Sequence, residues 1–361
     1  MNVSDRRYWS PGLSQLDPYV PGEQAPGPGW VKLNTNENPY APSPKVAEAI
    51  ARAAAEGLQR YPDPAACALR ERIARRQGVD PEEVFVGNGS DEVLGHAMYA
   101  FFRRSLPLLM PDLSYSFYRV HCGLHGIVRR AIPVDHDLSI RAEDFLGIPA
   151  GGIVLANPNA PTGRLLPRAA IERLLQAHPD SVVLVDEAYV DFGGESCVPL
   201  VARYPNLLVV QTFSKAYALA GLRVGYGIGQ AHLIENLERV KASFNSYPLD
   251  RLAQAGAAAA LEDVEWFDRT RAWIVQTRSW LRNELARLGF DAPPSHANFL
   301  FVRHPRCKAA DLAAGLRRRH VLVRHFPEAR IEQHLRISVG TAEQVSVLLH
   351  ALSEELKAMG S

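Results

Sequence analysis

The sequence contains four short apolar runs, rich in β-branched residues, and a polar loop follows each run directly. The runs are residues 84–86, 152–156, 181–185 and 207–210. They lack the alternation of a half-exposed strand and are separated by helix-length segments, which is typical of strands buried on both faces of a largely parallel sheet. In an open α/β sheet, ligands bind beyond the carboxyl ends of the strands. We therefore expect the four loops to converge on one crevice.

The loop after residues 207–210 contains Lys215 and, eight residues later, Arg223. A strand-end pocket that desolvates a lysine and adds a second cation favours the neutral amine, which is the form that makes a Schiff base. Arg223, among hydroxyls and glycines, offers a planar donor fork to a phosphate. This layout is that of a pyridoxal 5'-phosphate (PLP) site. Taken alone, the segment is equally compatible with a solvated lysine and arginine in an ordinary loop.

The other loops suit other parts of the same cofactor. Gly89, Ser90 and Asp91 precede a predicted helix whose free amides and dipole can receive a phosphate dianion, although an ordinary helix cap is the alternative. Asp186 follows four apolar residues and can hold a pyridine nitrogen protonated, which keeps the ring an electron sink. Tyr189 could donate its hydroxyl to the ring oxygen, whereas a lone tyrosine is more often a core or rim residue.

These motifs, in this order, resemble those of the fold-type I PLP-dependent aminotransferases of the histidinol-phosphate aminotransferase group. The resemblance runs from about residue 16 to near the C-terminus and rests on residues 33–40, 60–62, 89–92, 114–118, 161–163, 186–189, 212–226 and 335–340. It implies an α/β fold with a large, mostly parallel sheet domain and a small α+β domain. From the strand and helix pattern we place the large domain at 44–251 and the small domain at 252–361, completed by an N-terminal arm, 1–43.

The resemblance also implies cofactor-binding roles. Lys215 forms the Schiff base and then moves the proton between the substrate Cα and the cofactor. Asp186 pairs with the pyridinium, Tyr189 with the ring oxygen, and Tyr115 stacks on the ring. The implied phosphate cup consists of Gly89, Ser90, Asp91, Thr212, Ser214 and Arg223.

Further roles concern the substrate and a partner subunit. Arg336 resembles the arginine that binds the substrate carboxylate, and Arg324 resembles the one that faces the distal phosphate of histidinol phosphate. Tyr61 matches a tyrosine that reaches the cofactor phosphate of the neighbouring subunit, which implies a homodimer with shared active sites. Read alone, residues 60–64 form only a rigid proline-rich turn. Additional substrate-side candidates are Tyr19, Asn38 and Tyr40.

One position departs from the family pattern. The family usually has an asparagine, hydrogen-bonded to the ring oxygen, directly before Pro-Thr-Gly, but this chain has Ala160 there. Either Tyr189 acts without that partner, or Asn157 or Asn159 reaches in from the same loop; we take Asn157 as the candidate. A hydrogen bond to a charged group is worth about 1.5–3 kcal/mol, so its loss would alter activity without abolishing it.

Composition limits the remaining possibilities. The net charge of +1, from 40 basic and 39 acidic residues, argues against a nucleic-acid-binding protein. The four cysteines form no CxxC pair and the histidines no HExxH motif, so we expect neither a metal site nor a disulfide framework. No apolar run approaches membrane-spanning length, and we expect a cytoplasmic protein. Residues 11–29, rich in proline and glycine, predict an extended arm, which by resemblance crosses the active site.

The predicted function is a ping-pong exchange of an amino group between glutamate/2-oxoglutarate and histidinol phosphate/imidazole-acetol phosphate, a step of histidine biosynthesis. Three alternatives remain open on the same fold. They are an aromatic amino-acid aminotransferase, a PLP-dependent decarboxylase of phosphothreonine type, and a PLP-binding regulator without turnover. The sequence does not choose among the substrates.

Overall fold

The computed structural model describes residues 7–360, which form two β-sheets and the helices that cover them. The strands are β1 (Val31–Leu33), β2 (Val84–Asn88), β3 (Leu108–Pro111), β4 (Arg129–Ile132), β5 (Gly152–Ala156), β6 (Val183–Asp186), β7 (Leu207–Thr212), β8 (Val224–Ile228), β9 (Phe299–Val302), β10 (Val321–His325) and β11 (Leu335–Ser338). The helices are α1 (Pro44–Ala55), α2 (Cys67–Gln77), α3 (Gly89–Phe101), α4 (Phe117–His125), α5 (Arg168–Ala177), α6 (Ala231–Phe244), α7 (Arg251–Glu262), α8 (Val264–Arg287), α9 (Ala309–Arg318) and α10 (Ala342–Ala358).

The larger sheet has the strand order β2-β8-β7-β6-β5-β3-β4. Strand β8 runs antiparallel to both of its neighbours, and the strands from β7 to β4 are parallel. The four apolar runs of the sequence form β2, β5, β6 and β7, as predicted. Along β6, Val183 and Val185 pack into one hydrophobic core while Leu184 packs into another. Burial on both faces explains why these runs do not alternate with polar residues.

The smaller sheet has the order β1-β10-β11-β9 and includes one strand from the N-terminal arm. Strand β1 pairs in parallel with β10, through Val31 and Val321, while β10, β11 and β9 are antiparallel. Helices α8, α9 and α10 contribute Leu281, Leu312 and Leu348 to the core of this sheet. The predicted mixture of strands and helices after residue 252 is therefore confirmed, and the arm completes the small sheet.

Helix α7 belongs by its packing to the larger sheet. Its residues Ala253, Ala257 and Ala260 lie in the same hydrophobic core as β6. Residue 251 begins this helix, so the boundary proposed from the sequence falls at its start; the division into domains stays a prediction. Within residues 7–360, no helix is both long enough and apolar enough to cross a bilayer.

The N-terminal arm before β1 has little regular structure beyond a short 3-10 turn, Leu13–Gln15. Two side chains hold it against the small sheet. The Glu23 carboxylate pairs with Arg317 at 2.8 Å, and Asn34 Nδ2 donates to the Glu23 carbonyl at 2.8 Å. These contacts fix the arm beside the small sheet.

Candidate active site

A cavity of about 580 Å³ lies beyond the carboxyl ends of β5, β6 and β7, and β10 and β11 of the small sheet close it from the other side. Of the residues singled out in the sequence, it is lined by Tyr19, Ser90, Asp91, Tyr115, Asp186, Tyr189, Thr212, Ser214, Lys215, Arg223, Arg324 and Arg336. The expected convergence of the strand-end loops is therefore confirmed. A second cavity, of about 490 Å³, lies by Asp180 and Asn206 near the opposite edge of the sheet and contains no lysine.

Lys215 is held at the cavity by its loop. Its Nζ lies 3.4 Å from the Thr35 carbonyl oxygen and 5.7 Å from the centroid of the Tyr189 ring. Asn38 does not line the cavity. Its Nδ2 donates to the carbonyl oxygens of Lys215 and Ala216, both at 3.1 Å, so Asn38 holds the backbone of the lysine loop, and its contact with a substrate stays a prediction.

Asp186 is buried at the end of β6 and faces the same cavity. Tyr118 donates its hydroxyl to Asp186 Oδ2 at 2.7 Å, and the amide of Ala188 donates to Oδ1 at 3.1 Å. Burial raises the pKa of Asp186 to about 6, which these hydrogen bonds partly oppose. A cationic ring nitrogen beside this carboxylate would compensate its desolvation. Tyr118 belongs to the motif of residues 114–118, but its position as the second residue of α4 gives no sequence signal of this contact.

The N-terminus of α3 and the Arg223 guanidinium form an anion-binding corner. Arg223 Nη2 lies 3.3 Å from Asp91 Oδ2, and its Nη1 lies 3.5 Å from Ser214 Oγ. A Cβ on Gly225 would collide with the backbone of Gly89 and Ser90, so glycine there lets β8 approach the helix N-terminus closely. The backbone amides at that terminus and the guanidinium together suit a phosphate dianion.

Tyr115 and Tyr19 form an aromatic wall of the cavity. The Tyr115 hydroxyl donates to Asp91 Oδ1 at 3.0 Å, and burial raises the pKa of Tyr115 well above its usual value. Tyr19, from the arm, meets the Tyr115 ring edge-on with centroids 6.2 Å apart. The arm thus contributes a side chain to the cavity.

The Tyr189 hydroxyl accepts a hydrogen bond from an unexpected residue, Asn36, whose Nδ2 lies 2.9 Å away. Asn157, the candidate partner of the ring oxygen, does not line the cavity, and its role stays a prediction. Its amide is committed on both sides to Leu166, donating to the carbonyl and accepting from the amide, each at 2.9 Å. Asn159 is likewise occupied, since its Nδ2 donates to the Leu113 carbonyl at 3.0 Å.

Arg324 and Arg336 lie directly opposite each other in the β10–β11 pair, and both line the cavity. Arg336 Nη2 donates to the Asn34 carbonyl at 2.9 Å, whereas its Nε is buried without a hydrogen-bond partner. Burial also lowers the pKa of Arg336. Within residues 7–360, neither arginine forms an ion pair with a carboxylate. Two facing cations without a counter-charge fit a bound anion.

Two tyrosines named from the sequence lie elsewhere. Tyr40 packs against Trp273 of α8, with ring centroids 5.0 Å apart, and does not line the cavity, so its substrate contact stays a prediction. Tyr61 is 78% exposed and stacks on Tyr247, with ring centroids 4.6 Å apart. It lies outside the cavity of its own chain.

The donors and acceptors of the cavity fit PLP. Asp186 can take the pyridine nitrogen, Lys215 the aldehyde carbon, and Tyr189 the ring oxygen. The corner of α3 and Arg223 can take the phosphate. The unpartnered Nε of Arg336 then remains for the substrate.

The chain is similar to proteins of one family over nearly its whole length. A family model described as "Aminotransferase class I and II" matches residues 28–352. A protein of Aromatoleum aromaticum called histidinol-phosphate aminotransferase is 57% identical, over 97% of this chain and 99% of the relative. The structure of histidinol-phosphate aminotransferase from Sinorhizobium meliloti in complex with pyridoxal-5'-phosphate is 26% identical, with a TM-score of 0.88 over 98% of each chain. The L-threonine-O-3-phosphate decarboxylase of Porphyromonas gingivalis is 26% identical, with a TM-score of 0.76 over 90% of this chain and 99% of that one.

Proposed function

Because the chain belongs to the class I and II aminotransferases and, within them, to the histidinol-phosphate aminotransferase family, we propose that it transfers the amino group of histidinol phosphate to 2-oxoglutarate. The products are imidazole-acetol phosphate and glutamate, and the cofactor is PLP. The observation that carries the proposal is the pair Arg324 and Arg336, which face each other without a carboxylate in the cavity of Lys215.

The residues that hold the cofactor are those at the strand ends. Asp186 keeps a proton on the ring nitrogen, because a buried carboxylate gains most from a cationic partner. Ser214, Arg223 and the first amides of α3 bind the phosphate. Bound PLP supplies an electron sink that stabilises negative charge at the substrate Cα.

Lys215 acts as the base. Its loop is fixed by Asn38 and its Nζ lies beside the Thr35 carbonyl, so the amine stays at one edge of the cavity. From there it would take the Cα proton of the amino donor and deliver it to the former aldehyde carbon of bound PLP. Tyr19 and Tyr115 cover the site and reduce the access of water.

Both substrates carry an anionic group for the same arginines. Histidinol phosphate has a phosphate dianion, and glutamate and 2-oxoglutarate have carboxylates. A guanidinium fork binds either group with two parallel hydrogen bonds. One binding site that serves two substrates in turn is what a ping-pong reaction needs.

A homodimer with shared sites is part of the proposal. Tyr61 and Tyr247 form an exposed aromatic stack, and the nearby Phe244 is 79% exposed. Lys241 Nζ joins the two segments by donating to the Pro64 carbonyl at 3.0 Å. Exposed aromatic clusters of this kind are typical of subunit interfaces. We also place the enzyme in the cytoplasm, since its four cysteines form no disulfide within residues 7–360.

The test is a single-turnover half-reaction of the PLP-loaded protein. Histidinol phosphate, glutamate and phenylalanine are mixed with it separately, and the loss of the yellow absorbance is followed. We expect histidinol phosphate to react far faster than phenylalanine, and Lys215→Ala to abolish the reaction. Arg324→Gln should slow histidinol phosphate at least about tenfold, because a hydrogen bond between charged groups is lost.

The matched control is Arg303→Gln, since Arg303 pairs with Asp291 outside the cavity at 2.8 Å and should not matter. A faster reaction with phenylalanine would favour the aromatic aminotransferase. Release of carbon dioxide from a phosphorylated amino acid would favour the decarboxylase. Binding of PLP without any half-reaction would favour the regulator.

A further inference from the structure

The hydrogen bond from Asn36 to Tyr189 joins the two sheets on opposite sides of the cavity. Asn36 follows β1 of the small sheet, and Tyr189 follows β6 of the large sheet. The Asn36 side chain is 1% exposed, and its Nδ2 lies 2.9 Å from the Tyr189 hydroxyl oxygen. This is the hydroxyl that, under the proposed function, meets the cofactor ring oxygen.

The orientation of the Asn36 amide follows from its other hydrogen bonds. The Asn36 backbone amide, which can only donate, lies 2.8 Å from Ser338 Oγ. The Ser338 oxygen therefore accepts, and its own proton goes to Asn36 Oδ1 at 3.0 Å. With the carbonyl side of the amide fixed on Ser338, the amino side must face Tyr189.

The direction of the Tyr189 proton follows in turn. Because the amino group of Asn36 can only donate, the Tyr189 oxygen accepts from it. The single hydroxyl proton of Tyr189 is then free to point to another acceptor. A chain of three hydrogen bonds that begins at a backbone amide thus leaves this proton available to an acceptor in the cavity that Tyr189 lines.

The surroundings of Asn36 are built for this side chain. Its φ of 56° is in the left-handed region, which asparagine tolerates better than most residues. Asn298 Nδ2 holds its carbonyl at 2.9 Å. Ala160, at the position where the family usually has an asparagine, packs in a hydrophobic cluster against the Tyr189 ring and offers no polar side-chain atom.

We propose that Asn36 is a positioning residue for the transamination, and that it compensates for the amide missing at Ala160 by orienting the Tyr189 hydroxyl towards the cofactor ring oxygen. The inference rests on the proposed function only in requiring PLP in this cavity. It assigns the orientation of the Tyr189 hydroxyl to an asparagine of the arm, which would influence the cofactor only through Tyr189.

The test is a pH titration of the visible absorbance of the PLP-loaded protein without substrate. A proton donor on the ring oxygen stabilises the more negative form of the chromophore, so its loss raises the chromophore's pKa. We expect Tyr189→Phe to raise that pKa by about 1–2 pH units, the range for losing a hydrogen bond to a charged group. Asn36→Gly, which accepts the left-handed φ, should raise it by a smaller amount.

The double variants decide whether Asn36 acts through Tyr189. In the Tyr189→Phe background, Asn36→Gly should produce no further shift. An equal shift in both backgrounds, or no shift in the wild-type background, would overturn the proposal. If Asn36→Gly does not fold, Ser338→Ala replaces it. This variant keeps the Asn36 side-chain amide but removes the hydroxyl that fixes its orientation, so the amide can rotate. An equal shift with and without Tyr189, or no shift in the wild-type background, would again overturn the proposal.

The control variant is Asn206→Ala, which removes another buried asparagine, one that donates to the carbonyls of Leu175, His178 and Ser181. It should lower the melting temperature and leave the pKa of the chromophore unchanged. A shift of that pKa as large as the shift for Asn36→Gly would show that the Asn36 effect comes from general destabilisation. Failure of the proposed function is distinguishable. In that case the wild-type protein shows no yellow absorbance with PLP, or Lys215→Ala retains it.

Discussion

At the scale of single residues, the buried carboxyl of Asp186 couples stability to pH. Burial raises its pKa to about 6 from the usual 3.8. Between these values the unfolded chain has already lost the proton that the folded chain still holds, so the free energy of unfolding falls as the pH rises. Above pH 6 the cofactor-free protein carries a buried carboxylate that accepts hydrogen bonds but forms no ion pair within residues 7–360.

Replacing Asp186 by asparagine should remove this dependence. We expect cofactor-free Asp186→Asn to gain about 1 kcal/mol relative to the wild type on going from pH 5 to pH 8. Urea unfolding at the two pH values measures it. Asp191→Asn is the control, since burial also raises the pKa of Asp191 to about 6 but the residue lies outside the cavity. When the proteins are saturated with PLP, the stability gain between pH 5 and pH 8 should disappear for Asp186→Asn. It should remain for Asp191→Asn. The same gain for Asp186→Asn with and without PLP would contradict the pairing with the cofactor.

The cavity residues that the sequence reveals are those that come shortly after a predicted strand. Lys215, Asp186 and Tyr189 come soon after an apolar run, and a parallel sheet brings such positions together. Asn36 could not be found in this way, because it meets Tyr189 from 153 positions away. Asn157 has the same side chain and is nearer, but only the folded loop shows that Leu166 occupies its amide.

At the scale of elements, the close contact of β8 with the N-terminus of α3 should control cofactor affinity. A Cβ on Gly225 would collide with backbone atoms of Gly89 and Ser90, which cannot move aside as a side chain can. We expect Gly225→Ala to weaken PLP binding about tenfold or more, since overpacking costs about 1–3 kcal/mol. Equilibrium binding of PLP measures the change. Gly221→Ala is the control, because its Cβ would meet no atom within 4 Å. Equal affinities for the two variants would rule out this steric role.

Two of the strands that the sequence left unassigned lack a local signal. Strand β4 lies at the edge of the large sheet, and its residues Arg129, Arg130 and Ala131 are exposed, so no apolar run marks it. Strand β1 is only three residues long and becomes a strand by pairing with β10. Both depend on a distant partner, whereas helix α8 has an apolar spacing that reveals it directly.

At the scale of the whole molecule, the proposed sharing of active sites between two subunits predicts complementation between inactive variants. Lys215→Ala damages the site that the lysine occupies, and Tyr61→Ala would damage the site of the partner. A hybrid dimer then has one site with both lesions and one intact site. Random mixing makes half of the dimers hybrids, so mixed and refolded variants should recover roughly a quarter of the wild-type activity. Activity no higher than the mean of the two parent variants would show that Tyr61 serves its own chain or neither.

The fold class could be predicted for the whole chain because many motifs agree in order. The subunit arrangement could not, since an exposed Tyr61 on one chain is compatible with a surface turn as well as with an interface. The domain boundary is equally open, because α7 follows the large domain in sequence and packs into its core. Interfaces depend on surfaces that meet only after folding, and a sequence pattern describes mainly burial within one chain.

The facing pair of Arg324 and Arg336 makes the resting enzyme attractive to any small dianion, and not only to its substrate. Inorganic phosphate and sulfate offer the same oxygen geometry to a guanidinium fork as a phosphate monoester does. Such ions would therefore compete with histidinol phosphate, and a phosphate buffer would make the enzyme look weaker than it is. Under the proposed function these arginines bind the anion and not the imidazole, so discrimination between phosphorylated amines would fall to other walls of the cavity, such as those that Tyr19 and Tyr115 provide.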